Sequence, residues 1–198
     1  MRLAFHPKQP MLITMEKSWL GKMFSPSRKS RSAAACSDVD YVDAEVQFGM
    51  GLQFATGAAG TAQDYAQAAD WYRKAAEQNH GLAQFNLGTM YARGQGVVRD
   101  DAQSAVWFGR AAKLGDAGAQ YHMGRNCQRA SMEGLSVEAP EARIEAYKWF
   151  QLSAAQGYLD SEGAFAPLTV KMSREDVAEA NQRVANFVVI RVPKPLLA

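Results

Sequence analysis

The sequence predicts an all-α fold: an α-α superhelix of three helix-pair repeats closed by a C-terminal capping helix. Three observations predict it. Aromatic pairs recur as Trp71-Tyr72, Trp107-Phe108 and Trp149-Phe150, at steps of 36 and 42 residues. Small residues follow in the same register, with Lys74-Ala75-Ala76 returning as Arg110-Ala111-Ala112 and, shifted by one, as Ser153-Ala154-Ala155. Helix-ending residues close the units on the same steps, at Asn79, Gly115 and Gly157. A fixed period of this size is the signature of stacked supersecondary units that each leave an apolar face for the next to cover.

Each unit reads as two helices joined by a glycine loop. In the second, Ala83, Leu87, Met90 and Tyr91 fall on one helical face and define helix A. Gly94-Gln95-Gly96 ends it, because glycine takes the left-handed conformation at little steric cost. Asp100 opens helix B with Gln103 three residues on, and Asp64 with Gln67 does the same one unit earlier. An acidic N-cap accepts orphan amide hydrogens and suits the positive end of the helix dipole. Gly88, inside helix A, costs about 1 kcal/mol relative to alanine, so the pattern predicts close backbone approach by the partner helix there. Trp71, Trp107 and Trp149 are expected as core wedges.

The third unit departs from the pattern. Cys127 stands where Tyr91 predicts an aromatic, Ala130 replaces Gly94, and six extra residues fall around Ser131 to Ala139. Helix A is therefore expected to run long, with Pro140 in the first turn of the next helix, a position proline tolerates. Repeats are placed at 44–80, 81–116 and 117–158, inside an array of 41–190. The cap, 159–190, rests on a capping box of Ser173 and Asp176, a staple of Met172 on Val177, and the spacing Val177, Ala180, Val184, Phe187. Val188 to Val192 is β-branched and fits helix or strand, and 191–198 reads as an extended tail.

Composition narrows the function. The 198 residues carry 22 Lys and Arg, 20 Asp and Glu, and 47% hydrophobic residues, which suits a packed array rather than a disordered chain. Residues 1–40 hold seven basic and three acidic residues, against 15 and 17 in the rest, so a basic, serine-rich, disordered arm is expected to precede the folded body. That arm lacks the uninterrupted apolar stretch of a secretory signal, and Arg28-Lys29-Ser30-Arg31-Ser32 precedes Ala33-Ala34-Ala35-Cys36 where a lipoprotein signal needs apolar residues. Two cysteines make no disulfide scaffold, and the expected setting is cytoplasmic.

Chemical motifs are not found. His6, His80 and His122 have no metal-ligand spacing, and His122 and Cys127 lie about 140° apart around a helix. No nucleophile elbow, phosphate-binding loop or His-Glu-x-x-His segment occurs. No catalytic residue, cofactor or metal is therefore predicted, and a hydrolase of unrecognised type is the remote competitor.

The run from Asp64 to Asn79, and that from Ala83 to Val97, resemble the Sel-one-like repeat (SLR) family, a relative of the tetratricopeptide solenoids. The resemblance implies a right-handed stack of helix pairs acting as an adaptor or scaffold, without chemistry of its own. The cysteine pairs of the family's disulfide-rich secreted branch are absent. In solenoids of this type helix A lines the concave surface, which singles out Asn86, Thr89 and Arg93 in the second unit and His122, Arg125 and Arg129 in the third. Both sets have spacing i, i+3, i+7, one helical face, with Gln128 nearby and Phe85 and Tyr121 as borders. The matching Gly49, Leu52 and Thr56 of the first unit are uncharged. The expected partner is a protein or peptide, acidic or carboxylate-bearing, because the planar guanidinium engages carboxylates in pairs. His122 by itself reads as polar surface. The competing reading puts attachment in residues 11–31: Leu12, Met15, Trp19 and Met23, with Lys17 and Lys22, suit an anionic membrane, and Arg28-Lys29-Ser30-Arg31 suits nucleic acid.

Overall fold

Eight α-helices and no strand occur among the described residues of the computed structural model, which are 43–133 and 139–190. The basic arm of 1–40, the tail of 191–198 and the middle of the third-unit insertion lie outside the described residues. The helices are α1 (Ala44–Thr56), α2 (Tyr65–Glu77), α3 (Gly81–Arg93), α4 (Asp101–Lys113), α5 (Ala117–Glu133), α6 (Ala139–Ala154), α7 (Leu159–Thr169) and α8 (Arg174–Ala185). Each packs on the next from α1 to α6, and α6 then receives both α7 and α8.

Local chemistry sets the boundaries. Asp64 accepts from the amides of Ala66 and Gln67, and Asp100 from those of Ala102 and Gln103, so both B helices start on an acidic cap. Gly94 ends α3 at φ 67°, and Asn79 turns the chain after α2 at φ 63°, where a β-branched residue would be strained. Ser173 and Asp176 exchange the two bonds of a capping box before α8, and Met172 and Val177 pack into one cluster with α6.

The glycine inside helix A answers to a ring, not to a backbone. A Cβ on Gly51, Gly88 or Gly124 would stand 2.5, 2.9 or 2.6 Å from Tyr72, Phe108 or Phe150 respectively. The second aromatic of each pair is thus the wedge, seated in the notch its partner helix leaves. Trp107 and Trp149 are buried beside it, whereas Trp71 is only half-buried. Successive residues of a helix diverge by about 100°, so the tryptophan falls on the flank. There a cation covers each indole at about the same height: Lys74 at 4.4 Å, Arg110 at 4.5 Å and Lys148 at 4.4 Å.

Buried polar latches join successive helices, both within and between hairpins. Gln84 donates to the Ala76 carbonyl (3.0 Å) and Gln120 to that of Ala112 (3.2 Å), each from a fully buried side chain. Ser104 donates to the Gly88 carbonyl and Ser153 to that of Ala117, while Ser161 donates to the Ser153 hydroxyl. Such bonds leave few buried groups unpaired and fix the register of each helix on its neighbour.

The cap holds two helices where the sequence pattern marks one. α7 carries Gly163 and Pro167, both poor helix formers, and its formation is a tertiary effect of packing Ala164, Phe165 and Leu168 on α6. Residues 187–190, after α8, belong to no helix or strand. Phe187 meets Trp149 edge-on at 5.6 Å, Val189 lies over Gly115, and the Ile190 amide donates to the Lys113 carbonyl at 2.9 Å. The β-branched run of 188–190 therefore serves as a strap back to the second unit.

Candidate functional site

The A helices α3 and α5 carry the seven residues singled out above. Arg93, Arg125 and Arg129 are exposed; Asn86, Thr89, His122 and Gln128 are half-buried. Three of the half-buried ones, Asn86, Thr89 and His122, are already engaged. Thr89 donates to the Phe85 carbonyl of its own helix at 3.0 Å, and the Asn86 side chain bonds the Tyr72 phenol. Burial is also the main reason the Tyr72 hydroxyl is pushed up to about 12.

His122 is not the polar surface its isolated position suggests. Its ring stacks on Phe108 with centroids 4.3 Å apart and planes 1° from parallel, with Phe85 and Tyr121 edging it at 6.0 and 5.9 Å. Asn86 and His122 thus meet the same wedge position differently, His122 by stacking on the Phe108 ring and Asn86 at the Tyr72 hydroxyl. Burial lowers the His122 pKa from its ordinary value, and the Arg125 and Arg93 charges lower it further. Through that shared field, guanidinium groups from two consecutive A helices act on one imidazole.

Some arginines elsewhere in the array are ion-paired, while Arg110, Arg143 and Arg174 are in no ion pair among the described residues. Arg73 pairs with Asp70, Arg99 with Asp101, and Arg183 with Glu141, Glu145 and Glu179. Among the described residues no ion pair engages Arg93, Arg125 or Arg129; the field of Arg129 reaches Asp101. In the first unit Thr56 donates to the Leu52 carbonyl, and the corresponding face has no charge. Gln128 lines a cleft of about 320 Å³ with Ser131, Met132, Arg143, Pro167, Leu168 and Lys171.

Sequence reasoning missed His80. Its Nδ1 accepts the Ala83 amide (3.1 Å) as the N-cap of α3, which leaves the proton on Nε2 to donate to Glu45 (3.1 Å). Phe48 stacks on the ring at 4.6 Å. The signal was available: His80 and Asp116 stand 36 residues apart, and Asp116 caps α5 by accepting from Ala119 at 2.7 Å. Cys127 is half-buried between two core clusters, and burial pushes its thiol up to about 11, leaving it neutral at ordinary pH. Among the described residues no group of three or more His, Cys, Asp or Glu could hold a metal ion, and no helix is long and apolar enough to cross a membrane.

The family model described as Sel1 repeat matches three times in succession, at residues 44–80, 81–116 and 117–158. The chain belongs to the Sel1 repeat family. Solved structures agree with the fold. A Sel1 repeat protein from Oxalobacter formigenes superimposes with a TM-score of 0.51 at 35% identity, over 62% of this chain and 87% of that one. A protective antigen of uropathogenic Escherichia coli strains, displaying an SLR fold, gives a TM-score of 0.53 over 73% of this chain. At 22% identity that second likeness concerns the fold alone, and the present chain spans 37% of the antigen's length. No curated protein matches the chain. Sel1 repeats are a scaffold fold, and their arrays typically serve protein–protein interaction rather than catalysis.

Proposed function

We propose that the protein is a non-enzymatic adaptor that binds a protein or peptide segment, acidic or carboxylate-bearing, across the A-helix face of α3 and α5. One observation carries the reading: Arg93, Arg125 and Arg129 stand exposed on consecutive A helices and form no ion pair among the described residues. Unpaired guanidinium groups held on rigid helices retain their hydrogen-bonding forks for a ligand, and a repeat array offers them at fixed spacing. In this reading the array of 41–190 is the binding module, its A helices line the concave surface, and Asn86, Thr89, His122 and Gln128 form a floor between the arginines. A cytoplasmic setting suits Cys127, a free thiol.

Affinity capture with mass spectrometry tests it, comparing the native chain with the Arg93→Glu, Arg125→Glu, Arg129→Glu triple variant. The expected result is loss of the acidic partner with helicity unchanged by circular dichroism; unchanged capture removes the arginine face from the binding mechanism. A variant lacking 1–40 runs alongside. Loss of the partner on that deletion, with the array still folded, transfers attachment to the basic arm.

A further inference from the structure

The cleft at the end of the arginine face has a composition of its own. Its walls come from three helices and the turn after α7: Gln128, Ser131 and Met132 of α5, Arg143 of α6, then Pro167, Leu168 and Lys171. At about 320 Å³ it matches one or two residues of a peptide rather than a whole domain. Three of the seven lining residues are apolar, with Leu168 buried and Met132 exposed. The other four are cationic or hydrogen-bonding.

Arg143 is the anomaly. Its Nε is buried without any hydrogen-bond partner, a condition that native proteins rarely leave in place unless a ligand or water completes it. The carboxylates nearest in sequence on α6 are committed: Glu141 to Arg183, and Glu145 to both Arg183 (2.9 Å) and Lys148 (2.7 Å). Among the described residues Lys171 also forms no ion pair. The Ser131 hydroxyl is spent on the Gln128 carbonyl at 2.7 Å, so the free donors facing the cleft are the guanidinium, the ammonium and the Gln128 side-chain amide.

We propose that this cleft receives the C-terminal carboxylate of the bound peptide, with Arg143 and Lys171 holding the carboxylate and Leu168, Pro167 and Met132 receiving the last, apolar side chain. This rests on the reading of the A-helix face as the peptide track. Gln128 belongs to both, Arg129 adjoins it, and α7 walls the cleft beyond α5 and α6, so a chain following the track ends there. A terminal carboxylate supplies two oxygens to the unpaired Nε and its neighbouring N–H in the side-on geometry that arginine favours.

Two fluorescent pools of randomised hexapeptides, one with free C-terminal carboxylates and one amidated, serve as probes of the full chain. The acid pool is expected to bind at least tenfold more tightly and to move the Nε–H resonance of Arg143 in ¹⁵N-correlated spectra. Arg143→Gln removes that preference, and Arg143→Lys, which keeps the charge but not the Nε donor, restores only part of it. Arg93→Glu with Arg125→Glu weakens both pools and leaves their ratio intact. Equal binding of the two pools, or a preference that survives Arg143→Gln, overturns the cleft assignment while leaving the arginine face standing. Binding of neither pool also removes it, and the face then stands or falls by its own capture test.

Discussion

The second and third repeats share one plan and end their A helices differently. In the second, α3 stops after 13 residues at Gly94, and Gly96 lies so close to the start of α2 that a Cβ would meet the Tyr65 carbonyl carbon at 2.2 Å. In the third, Ala130 stands in the register of Gly94. An alanine in the left-handed region costs about 1–2 kcal/mol, and α5 instead runs 17 residues, to Glu133. Ser131 and Met132, in the register of Gln95 and Gly96, stay helical and become a wall of the cleft. An exchanged capping glycine, together with the six-residue insertion that follows it, therefore separates a closed loop from an open site.

Breaking the closed loop gives the largest expected effect. Gly96→Ala combines a backbone collision with φ 68°, and neither partner is a side chain that swings away. We expect a loss of about 3 kcal/mol in urea denaturation, from left-handed strain together with overpacking. Met132→Ala, at the matching position of the third repeat, changes stability by about 0.5 kcal/mol or less, because the side chain is 69% exposed. Comparable losses at the two positions would show that the loops, not the wedges, are equivalent.

The wedges supply the next effect, and here the repeats should agree. Gly88→Ala and Gly124→Ala each place a methyl against an aromatic ring, at 2.9 Å from Phe108 and 2.6 Å from Phe150. Helix propensity returns about 1 kcal/mol against an overpacking cost of about 1–3 kcal/mol. The expected net loss is about 0–2 kcal/mol in both, the larger at Gly124, read from the shift in denaturation midpoint. A stabilised Gly124→Ala would mean that the third hairpin is looser than its contacts suggest.

Much of this was legible in the residues. Periodicity placed the helix pairs, Asp64, Asp100 and Ser173 announced their helices, and Gly94 and Asn79 their ends, because each signal is local and acts within four residues. Other features depend on what a distant helix brings. The notch at Gly88 was visible but its occupant was not, since a spacing of 20 residues to Phe108 becomes a contact only once the hairpin closes. Helix α7 was hidden by its own glycine and proline. His122 and Asn86 looked alike as solvent-facing positions, yet His122 settles on the Phe108 ring and Asn86 at the Tyr72 hydroxyl, each of the preceding repeat. Arg143 lies on helix B, outside the face that the A-helix rule inspects, and only the packing of α7 makes its position a cleft.

Protonation distinguishes the same pair of repeats. Asn86 caps Tyr72 with a group that does not titrate, whereas His122 stacks on Phe108 with a pKa held below the ordinary value of 6.5 by burial and by Arg125 and Arg93. A group whose folded pKa is depressed binds fewer protons folded than unfolded. Its stabilisation is complete above about pH 6.5 and is lost as the pH falls through the folded value. His122→Phe keeps a stacked ring and removes the proton site, so its stability should fall less than that of the native chain between pH 7 and 5, followed by denaturant midpoints. A steeper acid limb in the variant would mean that His122 is charged in the fold.

The smallest expected effect sharpens the comparison most. Ala130→Gly restores the capping residue of the second repeat to the third, in a helix that now continues through that position. The cost as a helix-interior glycine is about 1 kcal/mol, partly offset if the new residue takes the left-handed cap and releases the last turn. Hydrogen exchange at residues 131–133 separates the two responses, since a recapped helix loses amide protection there and a merely weakened one keeps the gradient of a fraying end. Because Ser131 and Met132 line the cleft, recapping should also erase the preference for free carboxylates without touching Arg143, Lys171 or the arginine face. Lost protection with the preference intact would detach the cleft from the length of α5, and the departure of the third repeat from the pattern would then have no bearing on what it binds.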